Sequence, residues 1–284
     1  MKQPVQPVND AADEGPALSS PFIATDWRRG ESKDVDDQLI EEVAIALVYN
    51  GISHVVMMAT PGQIEDFALG FSLTEGILEH PQQLYDINTR ALDDGIEVAM
   101  TISNERFALL KAARRNMTGR TGCGLCGAES LEQAIRQPEP VTTQQAFSHL
   151  AIENAVAQLE SRQPLQALTG AVHGAALCNA EGNIQLLRED VGRHNALDKL
   201  YGSVCKAPDY CHETKLADSF VLISSRASYE LVLKAAVMGV GMLVAVSAPT
   251  SLAVRLAEQV NITLVGFARS GRHMVYTHPR RILA

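Results

Sequence analysis

The stretch Phe220–Ala268, FVLISSRASYELVLKAAVMGVGMLVAVSAPTSLAVRLAEQVNITLVGFA, decides the fold. Three short apolar runs, FVLISS (220–225), MLVAVS (242–247) and TLVGFA (263–268), alternate with segments of helical period around Tyr229–Met238 and Ser251–Val260. Strands that are continuously apolar need cover on both faces, and strands that alternate with helices run parallel. The expectation is therefore an α/β domain on a largely parallel sheet. In such sheets ligands collect outside the carboxyl ends of the strands. Three polar stretches fall there: Ser224-Ser225-Arg226-Ala227-Ser228, Ser247 to Ser251, and Arg269 to Arg272. The serines read as ordinary helix caps. A positive charge at a helix start opposes the macrodipole, whereas Arg226 with Arg269 and Arg272 would suit a phosphate.

Working back from this stretch, Thr142 or Thr143 can cap a helix whose apolar stripe is Phe147, Leu150, Ala151, Val156 and Leu159, ending before Pro164. Ala167–Cys178 and Asn183–Leu187 read as two strands around Glu181-Gly182. Between them and the α/β alternation lies the polar segment Glu189-Asp190-Val191-Gly192-Arg193-His194-Asn195-Ala196-Leu197-Asp198-Lys199. His194 and Asp198 share a face if helical, with His173 near from the preceding strand. Such a group could bind metal or move protons, or could simply be packed and hydrogen-bonded.

Further upstream, VAIALVYNGISHVVMMA holds two β-rich runs around Asn50-Gly51, a hairpin signal. A helix follows Pro61 with Glu65 and Asp66 in its first turn, closing near Gly76. Leu84–Ile87 and Gly95–Ile102 are short strands, and a helical segment from Asn104 to Arg115 ends the module. The expected division is a flexible arm over residues 1–40, a small α+β module over 41–116, a Gly-rich loop and linker over 117–140, and an α/β domain over 141–284.

The loop contains Arg120-Thr121-Gly122-Cys123-Gly124-Leu125-Cys126-Gly127. Glycine permits an exposed, positive-φ backbone, and Arg114, Arg115 and Arg120 would favour a thiolate. Three readings of the pair stand. Structural zinc would need a second pair, for which Cys205, Cys211 and His212 are loosely spaced and Cys178 sits in an apolar run. A dithiol redox centre would follow a buried strand and open a helix, whereas here a basic helical segment runs into the loop. The third is a mobile loop carrying a nucleophilic cysteine that holds or passes a group.

The chain has 284 residues, 46% of them hydrophobic, which suffices for a large core. No stretch approaches the roughly 20 uninterrupted apolar residues of a membrane helix, and the acidic, Pro-rich start lacks a signal core. Cytoplasm is the expected compartment, and five irregularly spaced cysteines suit reduced thiols. The net charge of -9 argues against general nucleic-acid binding. Residues 1–42 hold four Lys/Arg against ten Asp/Glu, so the remainder is nearly neutral. Local basic clusters there, at Arg114, Arg115 and Arg120 and at Arg269, Arg272, Arg280 and Arg281, could still receive an anion.

Together RTGCGLCG, EDVGRHNALDKL, SSRASYELVLKAA and GFARSGRHMVYTHP, with FALGFSLTEGI in the first module, resemble the formate dehydrogenase accessory sulfurtransferase family, FdhD, over roughly residues 40–280. The resemblance implies a cytidine-deaminase-like C-terminal domain. Deaminase chemistry does not carry over, because no HxE motif occurs and the CxxC lies upstream of the α/β region. It further implies a sulfurtransferase that takes persulfide sulfur from a cysteine desulfurase on Cys123, with Cys126 as the second cysteine. The acceptor would be the molybdenum or tungsten bis-guanine-dinucleotide cofactor of formate dehydrogenase. That cofactor would be bound by Phe267, Ala268, Arg269, Ser270, Gly271 and Arg272, with guanosine diphosphate as a mimic. The expected partners are the desulfurase, formate dehydrogenase and a second copy in a homodimer, with no resident metal, nucleic acid or membrane. The alternative is a zinc-bound, non-catalytic chaperone of formate dehydrogenase.

Overall fold

A computed structural model of the chain describes residues 16–117, 138–207 and 216–284. It begins with a hairpin: β1 (Ser19–Arg28) and β2 (Glu31–Ile40) pair antiparallel along their whole length, from Ser19 opposite Ile40 to Arg28 opposite Glu31. The expected flexible arm is thus a hairpin over these residues. Its turn, Arg29-Gly30, takes positive φ at both positions. Phe22, Ile23 and Trp27 are exposed on it. With little packed against either face, the strands carry no alternation of apolar and polar residues, the pattern by which a half-buried strand is recognised.

The next elements follow the sequence closely. Asn50-Gly51, both at positive φ, joins β3 (Val43–Tyr49) to β4 (Ile52–Ala59), as two-residue hairpin turns require. After α1 (Ile64–Thr74) come β5 (Leu84–Leu92), β6 (Gly95–Ile102) and α2 (Asn104–Met117). These strands form a four-stranded sheet in the order β4-β3-β6-β5, with β3 and β6 parallel at its centre.

After the short β7 (Phe147–Ser148), α3 (His149–Leu159) is capped by Ser148, whose Oγ accepts from the Ala151 amide at 3.0 Å, rather than by Thr142 or Thr143. The strand expected from Ala167 starts later, because α4 (Pro164–Thr169) comes first. Pro164 presets its first turn, and the distant Glu189 carboxylate accepts from the Leu165 and Gln166 amides at 3.0 and 2.9 Å. The chain continues through β8 (His173–Cys178), β9 (Ile184–Asp190), α5 (Arg193–Lys206), β10 (Phe220–Ile223), α6 (Tyr229–Val237), β11 (Met242–Ala245), α7 (Ser251–Gln259), β12 (Thr263–Arg269) and β13 (Arg272–Val275), ending in β14 (Ile282–Leu283) beside β7.

The large sheet has the order β13-β12-β11-β10-β8-β9. Only β10–β11 and β11–β12 are parallel, so the sheet is mixed rather than largely parallel. Short turns join β8 to β9 and β12 to β13, and a turn that short can return a strand only antiparallel. Both faces are covered. Leu177, Val221, Ile223, Leu243 and Leu264 join one apolar cluster with α1, α5, α6 and α7. Their neighbours Cys178, Phe220, Leu222, Val244 and Val265 join a second with α3.

The first cluster also contains Ile45, Leu47, Val98 and Met100 of the small sheet, so one core spans both parts of the chain. Two glycines set how closely α1 and α5 cross. A Cβ on Gly70 would lie 1.8 Å from the Asp198 carbonyl oxygen, and one on Gly202 would lie 1.9 Å from that of Asp66. Close backbone approach at this crossing therefore requires glycine in both helices.

Candidate functional site

The topology gathers one end of the large sheet into a single rim. β8 runs against β10, so His173 at its start lies beside the end of β10, and His173 in turn faces Asp190 at the end of β9. Ser224 ties these strands: its amide donates to Gly174 O at 2.9 Å, and its Oγ accepts from the Gly174 amide at 2.8 Å. The loops after β10 and β11 are also joined, through Ala227 N to Ala248 O at 3.2 Å and Thr250 N to Ala227 O at 3.0 Å. Phe267 N donates to Ser247 O at 3.1 Å, which attaches β12. The three polar stretches expected at the strand ends thus lie along one rim, joined in that order.

Phe267-Ala268-Arg269-Ser270-Gly271-Arg272 is the end of β12, the two-residue turn Ser270-Gly271 and the first residue of β13. Phe267 has φ 51° and lies in an irregularity of the ladder between Gly266 and Arg269. A Cβ on Gly266 would meet Pro249 Cδ at 2.8 Å, so glycine is what admits the neighbouring loop. Ala268 is fully buried, leaving only its backbone for a ligand. Arg269 and Arg272 face each other across Ser270 and Gly271, and all four are exposed. Arg281, expected in the same basic cluster, is instead buried structure. Its guanidinium donates to Asn261 O at 2.6 Å, Asn261 Oδ1 at 2.7 Å and Thr143 O at 3.1 Å.

His194 and Asp198 do lie on one helix, but the structure sends them to different partners. Asp198 is buried and accepts from Thr74 Oγ1 at 2.7 Å and from Lys234 Nζ at 2.9 Å on each oxygen. Burial alone would lower the Lys234 pKa; the Asp198 and Glu75 carboxylates outweigh it and hold the ammonium above its usual range. This group pins α5 and α6 to the end of α1. A second buried pair, which sequence reasoning did not single out, joins Asp190 to Lys199 at 2.6 Å. Asp190 also accepts from the Thr60 amide at 3.0 Å, and Lys199 donates to Thr60 O at 2.8 Å. Neither carboxylate is left for metal or proton chemistry.

His194 points the other way. Its Nε2 lies 2.8 Å from Glu230 Oε2 and 3.4 Å from Ser228 Oγ. Hydrogen bonding from His194 draws the Glu230 carboxyl below its usual range, against the opposing effect of burial. His173 is held below its ordinary pKa first by burial, then by Arg193, Arg226 and His194, with Asp190 opposing. It is therefore a neutral imidazole at pH 7. Arg193 was quoted within the polar segment but not recognised as a site residue. Its position at a helix start, against the dipole, is the signal that could have found it.

Cys178 is buried, and burial pushes its thiol up to about 12, which removes it as a nucleophile. Cys123 and Cys126 lie outside the described residues, as do Arg120, Cys211 and His212. No described helix is long and apolar enough to cross a membrane.

Fold and rim together define a mixed α/β protein with exposed arginines at the strand ends of its large sheet. The model of the FdhD/NarQ family matches residues 40–283, and the chain belongs to that family. It is 53% identical over 272 residues to the sulfur carrier protein FdhD of Cupriavidus necator, covering 96% of this chain and 93% of the relative. It is 47% identical over 255 residues to that of Xanthomonas euvesicatoria pv. vesicatoria, covering 90% and 89%. Among solved structures it is similar to a candidate formate dehydrogenase accessory protein from Desulfotalea psychrophila, with TM-score 0.71 and 25% identity, covering 94% of this chain and all of that one.

Proposed function

We propose that this chain is a sulfurtransferase of formate dehydrogenase maturation that carries sulfur as a persulfide on Cys123. The observation that carries the reading is the family match over residues 40–283, with relatives named as sulfur carriers. In the loading step the Cys123 thiolate attacks the outer sulfur of a persulfide on a cysteine desulfurase. The donor's S–S bond breaks, its cysteine leaves as a thiolate, and the new S–S bond places one sulfur on Cys123. Such exchange needs an accessible thiolate, which the glycines and arginines of RTGCGLCG favour. Cys126 is the helper.

The acceptor substrate in this reading is a molybdenum bis-guanine-dinucleotide cofactor bound at the strand-end rim. Arg269 and Arg272 offer bidentate guanidinium donors, the turn residues Ser270 and Gly271 offer backbone amides, and the left-handed Gly271 keeps the turn tight. A cytidine-deaminase-like assignment for residues 141–284 belongs to the same proposal, supported by a mixed sheet covered on both faces. So do a cytoplasmic setting and a homodimer.

The test is intact mass after incubation with a cysteine desulfurase and cysteine. The parent gains one sulfur and Cys123→Ala gains none, while Cys126→Ala still loads. Sulfur loading of Cys123→Ala, with full client activity in cells, would refute the mechanism.

A further inference from the structure

We propose that His149 and His273 form a bis-imidazole site for a divalent transition ion of the zinc, nickel or copper class, which would clamp β13 to the start of α3. The two residues are 124 positions apart in the chain, and the fold brings one nitrogen of each ring, His149 Nδ1 and His273 Nε2, to 2.6 Å. The rings stack with centroids 4.8 Å apart and an interplanar angle of 30°.

Both backbones are fixed by packing beneath the pair. Ser148 Oγ accepts from the Ala151 amide and sets where α3 begins, which makes His149 its first residue. Phe147, just before, is buried and meets the Phe220 ring edge-on. On the other side, β13 pairs with β12 through Val275 opposite Val265 and Met274 opposite Gly266. Val275 packs on the same apolar cluster as Phe147, Ala151 and Ile152. Ligands carried by a helix start and a strand of one core are held more precisely than ligands on loops.

As bare structure the pair contributes little. His149 is exposed and His273 half-buried, and a hydrogen bond at such a surface exchanges with water for a small net gain. One ring must donate while the other accepts, so a single proton lies between the two nitrogens. A divalent ion replaces that proton and takes both lone pairs, the form of imidazole that such metals bind. Metal–nitrogen bonds of about 2.0–2.1 Å set two ligand nitrogens about 3 Å apart, which a small rotation of the exposed ring reaches. Burial, and next His149, hold His273 below its ordinary pKa, with Glu153 opposing. Glu153, one turn along α3 from His149, adds negative potential beside the site. No group of three or more His, Cys, Asp or Glu that could hold a metal occurs among the described residues. The site is therefore two imidazoles completed by water, open and exchangeable rather than a closed structural centre. Nitrogen ligands favour Zn²⁺, Ni²⁺ and Cu²⁺ over Mg²⁺ and Ca²⁺, which take oxygen.

The experiment is calorimetric titration of the untagged full chain with Ni²⁺, with Mg²⁺ as the control. Cys123→Ser and Cys126→Ser are present throughout, so that those thiols do not compete. His149→Gln and His273→Gln should each weaken Ni²⁺ binding by about 10- to 100-fold, the least that losing a ligand should cost when losing an outer-shell partner costs as much. Substituting both should be little worse than either alone, because a chelate is lost with its first ligand. The melting temperature of the parent should rise with Ni²⁺, and that of either variant should not. Without metal all should melt together, which shows that a loss of binding is not a loss of fold. Absence of Ni²⁺ binding in the parent, binding that survives either substitution, losses that simply add in the double variant, or displacement of Ni²⁺ by Mg²⁺ each overturns the proposal. Earlier melting of the metal-free variants would make the pair a structural contact and overturn it as well.

Discussion

Two neighbouring stretches of α5 handle charge in opposite ways. From Asn195 to Lys199 every ionisable side chain is buried and matched, Asp198 by Lys234 and Lys199 by Asp190. At Arg193, one turn earlier, the guanidinium has no matching carboxylate among the described residues. The inner part is tied to Thr60 and to Thr74 at the end of α1, where an unmatched buried charge would cost several kcal/mol. The outer part borders solvent, where a cationic excess is tolerable and leaves capacity to bind an anion. A single helix thus carries a closed electrostatic circuit and an open one.

That contrast can be broken most sharply by neutralising one cation of each kind. Lys234→Met leaves the buried Asp198 carboxylate without its partner and should cost about 3–5 kcal/mol. Arg193→Met removes a charge that forms no ion pair among the described residues and should stay within about 0.5 kcal/mol of the parent. Urea denaturation reads both. Equal losses would mean that the start of α5 is as closed as the core.

Next in size is the crossing that brings the inner charges together. Gly70→Ala places a methyl against the Asp198 carbonyl, and the helices must separate, at a cost of about 1–3 kcal/mol by the same measurement. An unchanged denaturation midpoint would show that this crossing is looser than described.

The helix starts give a smaller pair of effects. Thr250→Ala removes a made cap and should cost about 1 kcal/mol, whereas Ser228→Ala, where no capping bond exists, should change stability by less than about 0.5 kcal/mol. Comparable losses would contradict the uncapped start of α6.

The smallest effect is a pH dependence. The folded His173 has a pKa below its ordinary 6.5, so the unfolded chain binds more protons in that interval. Its contribution is present above pH 6.5 and is lost as pH falls through the folded value. His273, lowered by burial and by His149, acts in the same direction. His173→Gln should therefore flatten, but not abolish, the fall in stability on acidification from pH 7 to 5. An unchanged slope would show that burial and the neighbouring arginines do not hold the His173 imidazole neutral.

Sequence alone determined the features that are local and periodic. Alternating apolar runs and helical stripes gave the α/β core, Asn50-Gly51 gave its hairpin, and strand-end polarity gave the rim. It missed the β1–β2 hairpin because strands with little burial leave no alternation to detect. It took the sheet as largely parallel because an apolar run reads the same whichever way its neighbour points. Only the tertiary structure decided which charges are spent. Asp198 and His194 are alike in the sequence, four residues apart, yet Lys234, 36 residues away, and Thr74, 124 residues away, close off Asp198. Arg281 was likewise absorbed by backbone carbonyls and Asn261, while Arg193 was left open. Periodicity is written within a few residues of chain, but neutralisation depends on partners that only folding brings within hydrogen-bond distance.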